Sequence, residues 1–199
     1  MIPDGYHDIP PGKIAAVVTL LEMRAPAPPR DRPAPEGVSL IRLSNPDPEA
    51  YRQLFTLVGA DWLWFSRLQL SDAALTDILT HPDYHAYAVT RDGRQHGLME
   101  LNFRVKGACE LAYFGLGPAL VGTGTGAWLM DQAIALAWSH PITRFHLHTC
   151  SLDHPGALAF YIRTGFTPTG RKIEIATDPR LTGDVDPSRA PHVPIIRPA

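Results

Sequence analysis

Apolar and polar positions alternate along parts of this chain with a period of two and along others with a helical period, and their order predicts a mixed α/β (α+β) domain. Ile14 to Leu21 is a short apolar, partly β-branched run between Pro11-Gly12 and Glu22, which reads as a buried strand whose pairing partner is open. Val38 to Leu43 alternates as a strand. Asn45 or Asp47, each followed by proline, can cap a helix in which Tyr51, Leu54, Phe55 and Val58 form one apolar face and Gly59 ends it. A second helix, capped by Ser71, carries Leu75, Ile78 and Leu79 and stops before Pro82. Tyr84 to Thr90, His96 to Val105 and Ala108 to Leu116 are strand-like runs joined by short turns, which implies an antiparallel meander. Ala127 to Trp138 is helical, with Met130, Ala133, Ile134 and Ala137 facing the core. The next strand, Ile142 to Thr149, must run parallel to Ala108 to Leu116, because a helix-length crossover connects them. A helix from about Asp153-His154-Pro155 to Gly165 and a strand from Thr167 to Ala176 complete the order.

Proline divides the chain. Arg24 to Glu36 holds five prolines in thirteen residues, which forbids helix interior and central strand and predicts a surface crossing. From Asp178 onward five more prolines and weak periodicity predict a tail that wraps or stays disordered. The expected organisation is an extension at 1–36 with one strand, a main domain at 37–177, and a tail at 178–199.

Composition narrows the partners. The formal net charge of the 199 residues is -2, which offers no basic footprint for nucleic acid. Cys109 and Cys150 are the only cysteines and show no paired spacing, which suits the cytoplasm. Residues 1–11 hold two aspartates where a signal peptide needs positive charge, and Ile14 to Leu21 is too short to span a membrane. His146, His148 and Cys150 alternate along one strand, but strand spacing is too loose for a compact metal site, so no metal is expected. Cys150 reads as a packing residue rather than a nucleophile.

Val121-Gly122-Thr123-Gly124-Thr125-Gly126 carries the strongest chemical signal. Three glycines precede a helix, where unpaired N–H groups and the positive end of the helix dipole can receive a phosphate without a Cβ in the way. Gly122-x-Gly124-x-x-Ala127 also matches the dinucleotide fingerprint nominally. The gap after the preceding strand and the antiparallel meander before it argue against that reading.

The glycine turn, together with Ala157-Leu-Ala-Phe-Tyr161-Ile-Arg-Thr-Gly165-Phe166 about 35 residues later, resembles the GCN5-related N-acetyltransferase (GNAT) superfamily over Val38 to Ala176. Val121 stands where that family usually has Arg or Gln, and His154 lies near its usual asparagine. The resemblance implies a mostly antiparallel sheet flanked by helices, with a splayed parallel strand pair. It also implies acetyl-CoA as donor and direct transfer of its acetyl group to a small-molecule or peptide amine in a ternary complex. A homodimer is compatible with it, and a non-catalytic acyl-CoA-binding module is the alternative.

The residues this assigns are specific. Val121 to Gly126 would cradle the pyrophosphate, while Phe114, Gly115 and Leu116, freed from pairing by Gly117-Pro118, would contact pantetheine, as would His154. Tyr161 is the expected acid for the departing thiolate, and it also touches the cofactor. A carboxylate within an apolar strand is costly unless used, so Glu110 is the expected base, with Glu100 second and at the acceptor. Trp62, Trp64 and Phe65 would shape the acceptor pocket, since aromatic faces attract ammonium groups.

Overall fold

The computed structural model describes residues 3–199. Seven strands form one sheet in the order β2-β3-β4-β5-β6-β1-β7. They are β1 (Lys13–Met23), β2 (Val38–Arg42), β3 (Tyr84–Arg91), β4 (Arg94–Asn102), β5 (Ala108–Leu116), β6 (Arg144–Cys150) and β7 (Thr167–Thr177). The helices are α1 (Pro48–Gly59), α2 (Asp72–Leu79), α3 (Thr125–Trp138), α4 (Ala157–Arg163) and a short α5 (Pro179–Thr182). Every strand pair is antiparallel except β5 with β6.

The helices start where the caps direct. Asp47 accepts from the Ala50 amide at 2.9 Å and Ser71 from the Ala74 amide, each satisfying an otherwise orphan donor. α1 and α2 bury Tyr51, Leu54, Phe55, Leu75 and Leu79 on one face of the sheet, against Tyr84, Ala86 and Leu98. α3 buries Leu129, Met130, Ala133 and Ala137 on the other face, against Leu101, Cys109, Leu111, Phe145 and Phe166. The sheet is therefore covered on both sides around β4 and β5, the strands that carry the candidate site.

β1 corrects the expected organisation. It lies inside the main sheet, pairing with β6 from Val18 to Met23 and with β7 along its length. Ile14, Ala16, Val18, Leu21 and Met23 are buried there while Val17 on the opposite face is half exposed, so the strand of the expected extension is built into the main sheet. The proline-rich segment then carries the chain over the helical face to the opposite edge of the sheet, tied by Arg30 to the Arg163 carbonyl and by Arg32 to Asp131.

The tail wraps. Arg180, with only 4% of its surface exposed, pairs with Asp178 and donates to the carbonyls of Arg189, Ala190 and Val193. Val185 and Ala190 join Ile14, Ala60 and Leu63 in a third apolar cluster. Near the terminus, the Gly12 amide donates to the Ile196 carbonyl at 2.7 Å. Among the described residues no helix is long and apolar enough to cross a membrane.

Candidate active site

The parallel pair is short. β5 and β6 are in register only from Ala108/Arg144 to Glu110/His146; beyond that β5 keeps β4 while β6 keeps β1, and the two diverge. The divergence begins before Gly117-Pro118, contrary to the expectation that Pro118 causes it. Gly117 still donates to the His96 carbonyl at 2.6 Å. The register slips at Ala112 instead: Glu100 faces Tyr113 while Leu101 faces Leu111. A bulge of this kind bends a strand and increases its twist. From Leu111 to Leu116 the edge of β5 that faces β6 has no strand partner.

A cavity of about 1150 Å³ opens in this gap. It is lined by Phe114, Gly115 and Leu116 of β5, Phe160 and Tyr161 of α4, Val121, Gly122 and Gly126 of the glycine turn, and Trp62, Trp64 and Phe65 of the aromatic segment. Most of the expected residues are thus brought together from four separate parts of the chain.

The glycine turn has the backbone an anion site needs. Gly122 (φ 78°) and Gly124 (φ 84°) are in the left-handed region, and Gly124 caps α3, which starts at Thr125 rather than Ala127. The first amides to bond back are those of Ala127 and Trp128, both to the Gly124 carbonyl, so the donors ahead of them are not consumed by the helix. The Thr123 hydroxyl binds the Leu120 carbonyl and the Thr125 hydroxyl, which stiffens the turn from within. Val121 is 56% exposed and contributes only an aliphatic rim.

Tyr161 is 9% exposed and is held by edge contacts with Phe114, Phe160 and Phe166. Burial, reinforced by the charge of Asp153, pushes its phenol well above the ordinary value, which keeps it protonated. Asp153, expected only as the start of a helix, is a structural tie at the site. It accepts from the Cys150 amide at 2.7 Å, the Thr149 hydroxyl at 2.8 Å and the Trp64 indole at 3.3 Å, so it ties the end of β6 to the aromatic loop. Those bonds hold the chain in a turn, and α4 begins only at Ala157. His154 lines the cavity edge-on to Trp62, with ring centroids 5.3 Å apart, and its Nδ1 accepts from the Gly156 amide at 3.0 Å.

The aromatic segment is shaped by Leu63, whose φ of 55° is unusual for a bulky residue. Burial of Leu63 in the third cluster holds that conformation and leaves Trp62 and Trp64 on the cavity. Trp64 also packs against Phe55 and Tyr113.

The two carboxylates separate. Glu110 is partly exposed, accepts from the Asn102 amide at 3.0 Å, and lines a smaller pocket of about 220 Å³ that shares Ala112, Tyr113 and His148 with the main cavity. Glu100 is fully buried and lines neither cavity, which corrects its expected place at the acceptor. It accepts from the phenols of Tyr51 and Tyr84 and from Arg67, and burial together with its charge pushes both phenols well above the ordinary value. It holds α1 and the aromatic loop to the sheet instead of meeting a ligand. Sequence parity could not separate the two: both lie on strand positions facing the same side, and Tyr51, Tyr84 and Arg67 together cover only Glu100.

Among the described residues no group of three or more His, Cys, Asp or Glu side chains that could hold a metal ion stands together, His146, His148 and Cys150 included. Burial raises the Cys150 thiol to about 11, which makes it a poor nucleophile.

The model of the acetyltransferase (GNAT) family matches residues 51–166, from Tyr51 in α1 to Phe166 after α4. The chain belongs to the GNAT acetyltransferase family. The matched span contains the splayed strands, the glycine turn and Tyr161. No curated protein is similar enough to match. Among solved structures, the fold is similar to that of a GCN5-related N-acetyltransferase from Sphaerobacter thermophilus, with TM-score 0.59 and 15% identity over 81% of this chain and 51% of that one. It is also similar to a GCN5-related N-acetyltransferase from Kribbella flavida, with TM-score 0.54 and 21% identity over 86% and 63% of the two chains. A third is the PaiA N-acetyltransferase from Thermoplasma acidophilum in complex with coenzyme A, with TM-score 0.53 and 17% identity over 70% and 98%. At such identities the likeness is one of fold, and the chain spans about half the length of the Sphaerobacter protein. GNAT proteins use acyl-CoA, and an anion-ready turn beside an unpaired strand edge fits such a group.

Proposed function

We propose that this GNAT protein is an acetyl-CoA-dependent N-acetyltransferase that passes the acetyl group directly to an amine within a ternary complex, in the cytoplasm. The observation that carries this reading is the single cavity that joins the glycine turn, the unpaired edge of β5 and the Tyr161 phenol. In this reading the amides of Gly122 to Gly126 receive the pyrophosphate, with no side-chain charge from Val121 to assist. The free N–H and C=O groups of Phe114, Gly115 and Leu116 hold the pantetheine arm, and His154 borders it. A β5 amide also stabilises the oxyanion that forms as the amine attacks the thioester carbonyl, which is commonly a large share of acyl-transfer catalysis.

The proton balance assigns the remaining roles. The ammonium of the acceptor loses a proton towards Glu110 through water, the new C–N bond forms, the C–S bond breaks as Tyr161 protonates the leaving thiolate, and the second proton shed by the nitrogen as the amide forms returns through water to reload the Tyr161 phenol. Burial keeps the phenol loaded across the working range and at the same time makes it a weaker acid, so its proton passes to sulfur only as negative charge builds there while the C–S bond breaks. Trp62, Trp64 and Phe65 wall the acceptor side. A module that binds acyl-CoA without chemistry is the second reading; the loaded Tyr161 facing the cavity favours the enzyme.

Calorimetric titration with acetyl-CoA, paired with thiol release in the presence of amines, tests the reading. Saturable binding and amine-dependent thiol release are expected. Binding of NAD with indifference to acetyl-CoA would overturn it.

A further inference from the structure

The small polar pocket on the α1/α2 face carries charges that the transfer reaction itself does not require. Arg67 and Arg104 both stack on Tyr84, with the guanidinium carbons 5.7 and 5.2 Å from the ring centroid. Nη2 of Arg67 is occupied by Tyr84 and Glu100, whereas its Nη1 has no hydrogen-bond partner among the described residues. Arg104 is exposed and spends only Nε, at 2.9 Å from Asn102 Oδ1, so both of its Nη groups remain available. The opposite end of the same Asn102 amide donates to Glu110 Oε2. A guanidinium and a carboxylate therefore face one pocket, one side-chain amide apart and not in ion-pair contact with each other.

We propose that this pocket is the acceptor subsite for a free α-amino acid, its ammonium at Glu110 and its carboxylate at Arg104, with Nη1 of Arg67 behind. This rests on the acetyltransferase reading above and specifies its substrate class. Charge and spacing favour a zwitterion. A diamine would meet two arginines, and a dianion would meet Glu110 with one of the two arginines already neutralised by Glu100. An α-amino acid, like the Asn102 amide, sets its two polar ends one short bridge apart. The volume, about 220 Å³, gives room for on the order of seven waters, which suits a small molecule. The shared wall of Ala112, Tyr113 and His148 puts an amine at Glu110 beside the unpaired edge of β5, where the thioester would lie.

The test uses the full chain saturated with acetyl-CoA and follows acetylation of proteinogenic L-α-amino acids, singly and against their α-amides, by mass spectrometry. At least one amino acid should be acetylated with a kcat/KM at least about tenfold above that of its amide, since a guanidinium left facing an uncharged amide loses its charge-assisted bonds. Arg104→Gln, an exposed substitution whose fold can be checked by circular dichroism, should bring that ratio close to one while acetyl-CoA binds as before. A wild-type preference for the amides, a ratio that Arg104→Gln leaves unchanged, or failure to acetylate either set would overturn the amino-acid subsite. Thermal stabilisation by acetyl-CoA separates the two levels: with it intact the donor site stands and only the acceptor assignment falls, and without it both fall.

Discussion

At the scale of single residues, Tyr161 and Gly124 make different demands on the same cavity. The Tyr161 phenol is raised by burial, so its folded value lies above its unfolded one of about 10, and it stays protonated up to and beyond that pH. Tyr161→Phe should lower kcat by about 10²-fold or more, with the affinity for acetyl-CoA nearly unchanged, which thiol release and calorimetry together can read. The alkaline limb of the wild-type rate should not contain a fall assignable to this phenol below about pH 10. Gly124 acts through conformation. At φ 84° a Cβ would meet open space, so Gly124→Ala costs backbone strain of about 1 kcal/mol or more and rotates the amides that face the anion. Coenzyme A affinity measured by calorimetry should drop by about tenfold for Gly124→Ala, whereas Val121→Ala, on an exposed rim, should leave it within about twofold.

At the scale of elements, the site exists because two strands that begin as a parallel pair part after three residue pairs. The bulge at Ala112 and the packing of α1 on β5 hold them apart. Gly115 is the point of closest approach: a methyl there would collide with Val58 of α1 and with Trp64. Gly115→Ala should therefore destabilise the protein by about 1–3 kcal/mol in urea unfolding and push Trp64 into the cavity. Its KM for acetyl-CoA should rise as well, and an unchanged KM would show that the pantetheine arm does not run past Gly115. The glycine turn, the Tyr161 helix and the meander were all legible from local pattern, because each is set by neighbours within a turn or two. The bulge was not, since it is defined by which residue of β4 faces which residue of β5. The covering of Glu100 was not legible for the same reason: it depends on Tyr51, Arg67 and Tyr84, which come from other parts of the chain.

At the scale of the whole molecule, residues from both ends of the chain complete the domain. β1 joins β6 to β7, and the tail is fastened beneath it by the buried Asp178–Arg180 pair. Hydrogen bonds from Arg180 hold the Asp178 carboxyl below the ordinary value against the opposing effect of burial. A carboxyl lowered in the folded state stabilises above its unfolded value of about 3.9 and loses that contribution as pH falls through the folded value. Asp178→Asn should accordingly flatten the acid limb of stability below about pH 4, measured by urea unfolding across pH. It should also destabilise the protein at neutral pH by about 3–5 kcal/mol, because Arg180 is left buried without its counter-charge. The tail also bears on the cleft, through Arg189 to Asp61 and His192 beside Trp62, so loosening it should raise acceptor KM more than donor KM.

The sequence by itself determined the element order, the anion-ready turn before α3, the placement of a tyrosine on a late helix and the family these resemble. Each of these depends on residue types at short spacing, where backbone geometry and periodicity leave few alternatives. Only the tertiary structure decided that β1 is an inner strand, that Glu100 is sealed under two tyrosines and an arginine, that Asp153 ties β6 to the aromatic loop, and that Arg104 and Glu110 face one pocket. Those outcomes depend on strand order, on a one-residue slip at Ala112 and on charges brought together across the sheet, and local pattern carries no record of which distant segment will supply a neighbour.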